Sequence, residues 1–136
     1  MNDRPDPAGP RAWLGRAQSN LILAEIGLQR GVFLEDLCFQ AQQAAEKALK
    51  ALCIAHGLDY PRTHSLVILL DILEQSLSTP IPAEVKAADV LTQYAVQARY
   101  PGWAEGVTEA EYYRALELAR QTVTWAAGML EGPEQG

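Results

Sequence analysis

Three groups of residues in this chain have types and spacings suited to chemistry. The first is Gln40, Gln43, Lys47 and Lys50, which recur at intervals of three, four and three within the run Gln40-Ala41-Gln42-Gln43-Ala44-Ala45-Glu46-Lys47-Ala48-Leu49-Lys50-Ala51-Leu52. On a helix that spacing lines one face. Such a row is either a solvated face, with Glu46 and Lys50 as an ordinary i,i+4 pair, or a surface turned toward a ligand, a partner or a second subunit. The second group is Arg62-Thr63-His64-Ser65. An arginine, two hydroxyls and a histidine ahead of a helix suit an anion, because free N–H groups and the positive end of the dipole meet there. Plain capping by Thr63, with His64 in the first turn, explains the same residues. The third is Arg99-Tyr100-Pro101-Gly102-Trp103. Arginine at a helix C-terminus complements the dipole, and aromatics beside it either stack on a base or pack under the turn.

Conventional catalytic arrangements are weak. His56 and His64, the two histidines, have no nucleophile partner legible in the sequence. No glycine-rich loop follows a strand, so neither a P-loop nor a dinucleotide fingerprint is available. The carboxylates are scattered without metal-ligand spacing, and neither a catalytic residue nor a cofactor is assigned. Cys38 and Cys53, the two cysteines, sit fifteen residues apart. On one continuous helix that is roughly 22 Å, beyond disulfide reach. They read as small core fillers, and no zinc signature is present.

Helices must position these groups. No stretch alternates β-branched residues with period two between turn signals, so no sheet is expected. Residues 1–10 and 131–136, rich in proline and glycine, read as a disordered leader and tail around a single helical domain at 11–130. A first helix is expected from Arg11 to Gln29, with Leu14, Ala17, Leu21, Ala24 and Leu28 inward. A second, from Phe33 to His56, buries Leu34, Leu37, Ala41, Ala44, Ala48, Leu52 and Ala55, and Gly57 follows as its C′ residue. At this length it is the natural spine of a bundle, and its alanines let neighbours approach closely. A third runs from His64 to Leu77 behind Thr63 as N-cap. Val67, Ile68 and Ile72 make it apolar almost all round, as in a helix that is central or covered by another subunit. A fourth begins at Pro82 and runs to Arg99, where Tyr100-Pro101-Gly102 stops it. The last opens on the capping box of Thr108 and Glu111 and carries Tyr112, Leu116, Ala119, Val123, Ala126 and Leu130 as its stripe. Short connections make this an all-α, up-and-down bundle of four or five helices.

Composition sets outer limits. The chain has 136 residues, 49% of them hydrophobic and 21% charged, enough for one ordinary core. A net charge of −6 argues against general nucleic-acid binding but leaves room for a small basic site. There is no apolar leader, no run long enough to span a membrane and no lipidation signal, so a cytoplasmic location and no membrane association are expected.

The motifs taken together carry a resemblance. Gln42 through Leu52, then Gly57, then Thr63-His64-Ser65-Leu66, then Ala98-Arg99-Tyr100-Pro101-Gly102 resembles the HEPN family, the higher eukaryotes and prokaryotes nucleotide-binding domain. The resemblance covers about residues 11–130. It implies a bundle that often dimerises and is commonly paired with a small nucleotidyltransferase as a toxin–antitoxin-like couple. Many relatives are metal-independent ribonucleases with an arginine followed, four to six residues on, by a histidine. This chain has no such motif: the positions after Arg99 hold Trp103, Ala104, Glu105 and Gly106. The expectation is therefore a non-catalytic module, a homodimer that binds a nucleotide or a nucleotidyltransferase partner. Lys47, Lys50 and Arg99 would contact phosphate, Arg62 and His64 would assist, and Gln43 would line the same wall. Tyr100 or Trp103 would stack on a base, and Tyr100 is also the candidate nucleotidyl acceptor. The alternatives are a diverged ribonuclease toxin using Arg99 and a histidine, and an interaction scaffold without a nucleotide site.

Overall fold

The computed structural model describes residues 6–27, 29, 31–95 and 106–131. Residues 96–105, with Arg99, Tyr100 and Trp103 among them, lie outside the described residues, as do Leu28, Arg30, residues 1–5 and residues 132–136. The described chain is all-helical, an up-and-down bundle of α1 (Pro10–Ile26), α2 (Leu34–Ala55), α3 (Leu66–Ser76), α4 (Ala83–Lys86) and α5 (Glu109–Leu130). A 3-10 segment, Ala87–Ala95, follows α4 directly.

α2 is the spine, packed on α1, α3, α5 and the 3-10 segment. Its alanines 41, 44, 45, 48 and 51 are all fully buried. Small side chains on its flanks let these four neighbours approach one helix, as the sequence implies. α2 ends as expected: Gly57 adopts φ +65°, Leu58 N–H donates to Cys53 O at 2.8 Å and Gly57 N–H to Ile54 O at 3.1 Å. These bonds satisfy the last carbonyls of the helix in a Schellman arrangement. Ala55, expected inward, is exposed because it lies in the final turn beyond the packed neighbours.

Other boundaries moved for identifiable reasons. α1 starts at Pro10, whose fixed φ suits the first helical position and whose missing N–H is no loss there. It ends at Ile26, three residues early. Gly27 follows as the C-cap, where an added Cβ would collide with the Leu37 side chain, so glycine permits the close α1–α2 crossing. α3 begins two residues late. Thr63 Oγ1 accepts from Ser65 N–H at 2.9 Å, holding the chain in a turn, and Ser65 rather than Thr63 is the N-cap. The continuous α-helix expected from Pro82 to Arg99 gives way to 3-10 geometry at Ala87. With three residues per turn, side chains at i and i+3 align. The row Val85, Ala88, Leu91 and Tyr94 is accordingly buried throughout. In α5 the capping box forms in both directions, Glu111 N–H to Thr108 Oγ1 at 3.1 Å and Thr108 N–H to Glu111 Oε1 at 2.9 Å. Tyr112 then reaches across to α1, its hydroxyl donating to Ala24 O at 2.6 Å.

Cys38 and Cys53 are free and buried. Burial raises their thiol pKa values to about 12 and about 11. No described helix is long and apolar enough to cross a membrane.

Candidate functional site: a buried carboxylate holding a lysine and a histidine

The polar residues of α2 are not a solvated face. They divide into two adjacent rows with different partners. Gln42, Glu46 and Lys50 lie at i, i+4 and i+8 and are buried, at 0%, 4% and 8% exposure. Gln43 and Lys47, one position further round, are half-buried at the edge.

Glu46 is the hub of the buried row. Its Oε2 accepts from Lys50 Nζ at 2.8 Å. Its Oε1 accepts from Gln42 Nε2 at 2.9 Å and meets His64 Nδ1 at 3.0 Å. Burial alone would push the Glu46 carboxyl up. The hydrogen bonds from Lys50, Gln42 and His64, with the Lys50 charge, outweigh it and hold the pKa below the usual glutamate value. An ionised carboxylate only accepts, so His64 Nδ1 must carry the hydrogen. In neutral His64 the lone pair then sits on Nε2, and the His64 side chain is 62% exposed. Gln42 Nε2 also donates to His64 O at 3.2 Å, and Gln43 Nε2 donates to Gln42 Oε1 at 2.7 Å. The loop between α2 and α3 is thus clamped to α2 through its histidine.

The Lys50 ammonium, besides Glu46, lies 5.9 Å from the Trp13 ring centroid and 5.6 Å from that of Tyr60. α1, α2 and the 57–65 loop each supply one wall around it. Two aromatic faces offset part of its desolvation. Its charge is committed internally.

Outside this core lies a second set. Lys47 Nζ donates to Asn20 Oδ1 at 2.9 Å, and Asn20 Nδ2 donates to Gln40 Oε1 at 2.7 Å, tying α1 to α2. Burial lowers the Lys47 pKa first, and the Arg16 guanidinium lowers it further. Arg16 is exposed, and among the described residues no carboxylate bonds to it or to Lys47. The Arg16 charge thus acts on Lys47 at the edge of the network, and the Glu46 charge opposes it. Arg62 is exposed on the same loop as His64 and forms no ion pair within the described residues.

Of the residues selected from the sequence, Gln43, Lys47, Lys50 and His64 come together. Arg62 sits nearby in the chain but outside the network, and Arg99, Tyr100 and Trp103 lie outside the described residues. Gln42, Glu46, Arg16, Trp13 and Tyr60 were missed. The i, i+4, i+8 spacing of Gln42, Glu46 and Lys50 was the available signal. A separate cleft of about 300 Å³ opens between the 3-10 segment and α5, lined by Val90, Gln93, Tyr94, Glu111 and Arg114 among others. Among the described residues no group of three His, Cys, Asp or Glu side chains is arranged to hold a metal ion.

The HEPN domain family model matches residues 10–130. The chain belongs to the HEPN family. Two solved structures are similar along nearly their whole length. TT1696 from Thermus thermophilus is 34% identical with a TM-score of 0.71, the match covering 87% of this chain and 95% of that one. ST0689, an archaeal HEPN homologue, is 28% identical with a TM-score of 0.71, covering 90% and 98%. No curated protein matches the chain. The HEPN match extends through the α1 and α2 residues that build the network and through the 57–65 loop that carries His64.

Proposed function

We propose that this HEPN domain is a non-catalytic module that binds a phosphate-bearing nucleotide and serves as partner to a small nucleotidyltransferase in a toxin–antitoxin-like pair. The observation that carries this reading is the electrostatic coupling of Arg16 and Lys47, two cations to which no carboxylate among the described residues is bonded. An anion placed between them relieves their repulsion, which is what a phosphate site requires. Behind them the Glu46 network fixes His64, whose outward Nε2 supplies a further donor to an anion when protonated. Trp13 and Tyr60, half-buried on the same walls, offer ring surface for a base. Lys50, bonded to Glu46, supports the wall rather than contacting phosphate.

Calorimetric titration with ATP and GTP tests it. Binding is expected, weakened at least tenfold by Lys47→Ala and by Arg16→Gln. No heat at millimolar nucleotide would leave the interaction scaffold as the better account. Co-expression with a small nucleotidyltransferase from a neighbouring gene tests the partnership through co-purification at fixed stoichiometry.

One observation favours the ribonuclease reading. Glu46 fixes His64 as the Nδ1–H tautomer with its Nε2 lone pair outward, the arrangement of an oriented general base. Cleavage of single-stranded RNA, abolished by His64→Ala, would favour that reading over a binding module.

A further inference from the structure

The cleft where the 3-10 segment meets α5 shares no residue with the Glu46 network. It holds about 300 Å³ between Val90, Leu91 and Tyr94 on one side and Glu111, Arg114 and Leu118 on the other. That is the lower end of the range for small-molecule sites.

Tyr94 lines the cleft and is 5% exposed, yet among the described residues its hydroxyl has no hydrogen-bond partner. A buried phenol ordinarily finds one, and a buried polar group left without one calls for an explanation. Burial raises the Tyr94 pKa to about 12, with Cys38 and Glu111 adding to the effect. The hydroxyl therefore stays protonated at neutral pH, its oxygen free to accept and its hydrogen free to be donated.

The charged groups of the cleft are also unanswered. Glu111 and Arg114 are exposed and stand at i,i+3 on α5, where Cβ atoms are about 5–6 Å apart. They form no ion pair with each other, and among the described residues Arg114 pairs with no carboxylate. Glu111 commits Oε1 to Thr108 N–H at 2.9 Å, which fixes its side chain and leaves Oε2 for another donor. A simple anion here would meet Arg114 but be repelled by Glu111. A simple cation would meet Glu111 but be repelled by Arg114. A zwitterion answers both, and an α-amino acid carries its ammonium and carboxylate on one carbon, close enough for a pair of residues so spaced. Val90, Leu91 and Leu118 supply an apolar surface beside them.

We propose that this cleft binds a free α-amino acid with an apolar side chain. Glu111 Oε2 and the Tyr94 hydroxyl oxygen accept from its ammonium, Arg114 donates to its carboxylate, and its side chain lies on Val90, Leu91 and Leu118.

The test is calorimetric titration of the full chain with L-leucine, L-methionine and L-phenylalanine, with backbone chemical shifts to place the site. Saturable binding of at least one of the three at millimolar concentration is expected, with shifts at residues 90–94 and 111–118. The matching acid without the amine, and the matching amine without the carboxylate, should each bind at least tenfold more weakly. Arg114→Gln and Glu111→Gln should each weaken binding at least tenfold, and glutamine at 111 still completes the capping box, so α5 starts as before. Tyr94→Phe should weaken binding while leaving the thermal midpoint unchanged or higher, because the hydroxyl gives up no bond within the free protein. No binding of any of the three, equal affinity for either truncated analogue, affinity indifferent to the three variants, shifts centred on Arg16 and Lys47, or a lowered midpoint in Tyr94→Phe each overturns the proposal.

Discussion

Glu46→Gln isolates the feature on which the site rests. The carboxylate is 4% exposed and accepts from three groups, at 2.8, 2.9 and 3.0 Å. The amide keeps the shape but removes the charge, leaving the Lys50 ammonium at 8% exposure without an anion. Removing one member of a buried pair costs about 3–5 kcal/mol. The Trp13 and Tyr60 rings stay in place, and the lysine stem lets the ammonium shift toward water, so the lower end, about 3 kcal/mol, is expected. Lys50→Met keeps the stem volume, and Gln42 and His64 still bond to Glu46. Its cost should be about 1–2 kcal/mol. The double variant buries no unpaired charge and should cost little more than Lys50→Met, a coupling of about 2 kcal/mol in the cycle. Urea unfolding measures all four proteins, and Glu46→Gln should lower the midpoint by about 1 M or more at an m-value of about 2 kcal/mol/M. The same pair sets a pH dependence. The native pKa of Glu46 lies below its unfolded value of about 4.3. Its contribution is therefore fully present above the unfolded value and is lost as pH falls through the native one. Wild type should lose stability on acidification below about pH 4.5 more steeply than Glu46→Gln. Additivity within about 0.5 kcal/mol would refute the reasoning, because it would mean that Lys50 does not depend on Glu46.

Three further outcomes follow from the packing. Tyr112→Phe removes the hydroxyl bonded to Ala24 O at 2.6 Å between α5 and α1 and should cost about 1 kcal/mol in the same unfolding assay. Gly27→Ala drives a methyl against Leu37 at the tightest point of the α1–α2 crossing and should cost about 1–3 kcal/mol, although alanine is ordinarily the better helix residue. Cys38 and Cys53, with thiol pKa values raised to about 12 and about 11 by burial, should resist a thiol reagent at about pH 8 in native protein and react at once in urea.

The all-α bundle was legible because its signals are local. Thr108 and Glu111 form their box within one turn, Gly57 ends α2 through its own φ, and the alanine pattern marks the spine without reference to any distant residue. The site was legible only in part because its partners are not local. Gln40, Gln43, Lys47 and Lys50 read as one row, but Lys47 and Gln40 turn to Asn20 on α1 while Lys50 turns to Glu46 and to the rings of Trp13 and Tyr60. Which of two adjacent helical rows is buried depends on what packs there, and helical spacing does not hold that information. In the sequence Glu46 shows only an i,i+4 spacing to Lys50, and the return of the 57–65 loop makes it a hub. The 3-10 geometry at Ala87 escaped for the opposite reason. Val85, Ala88, Leu91 and Tyr94 display its period of three, but a continuous α-helix satisfies most of the same positions.

The proposed function turns on an anion bound near Arg16 and Lys47, beside the His64 network. Backbone chemical-shift mapping during titration with ATP tests it most directly. Saturable shifts are expected, concentrated at residues 13–20 of α1, residues 43–50 of α2 and the 60–65 loop, with their loss in Lys47→Ala. Shifts centred instead on the cleft between the 3-10 segment and α5, around Gln93 and Arg114, or no shifts at millimolar ATP, would contradict it.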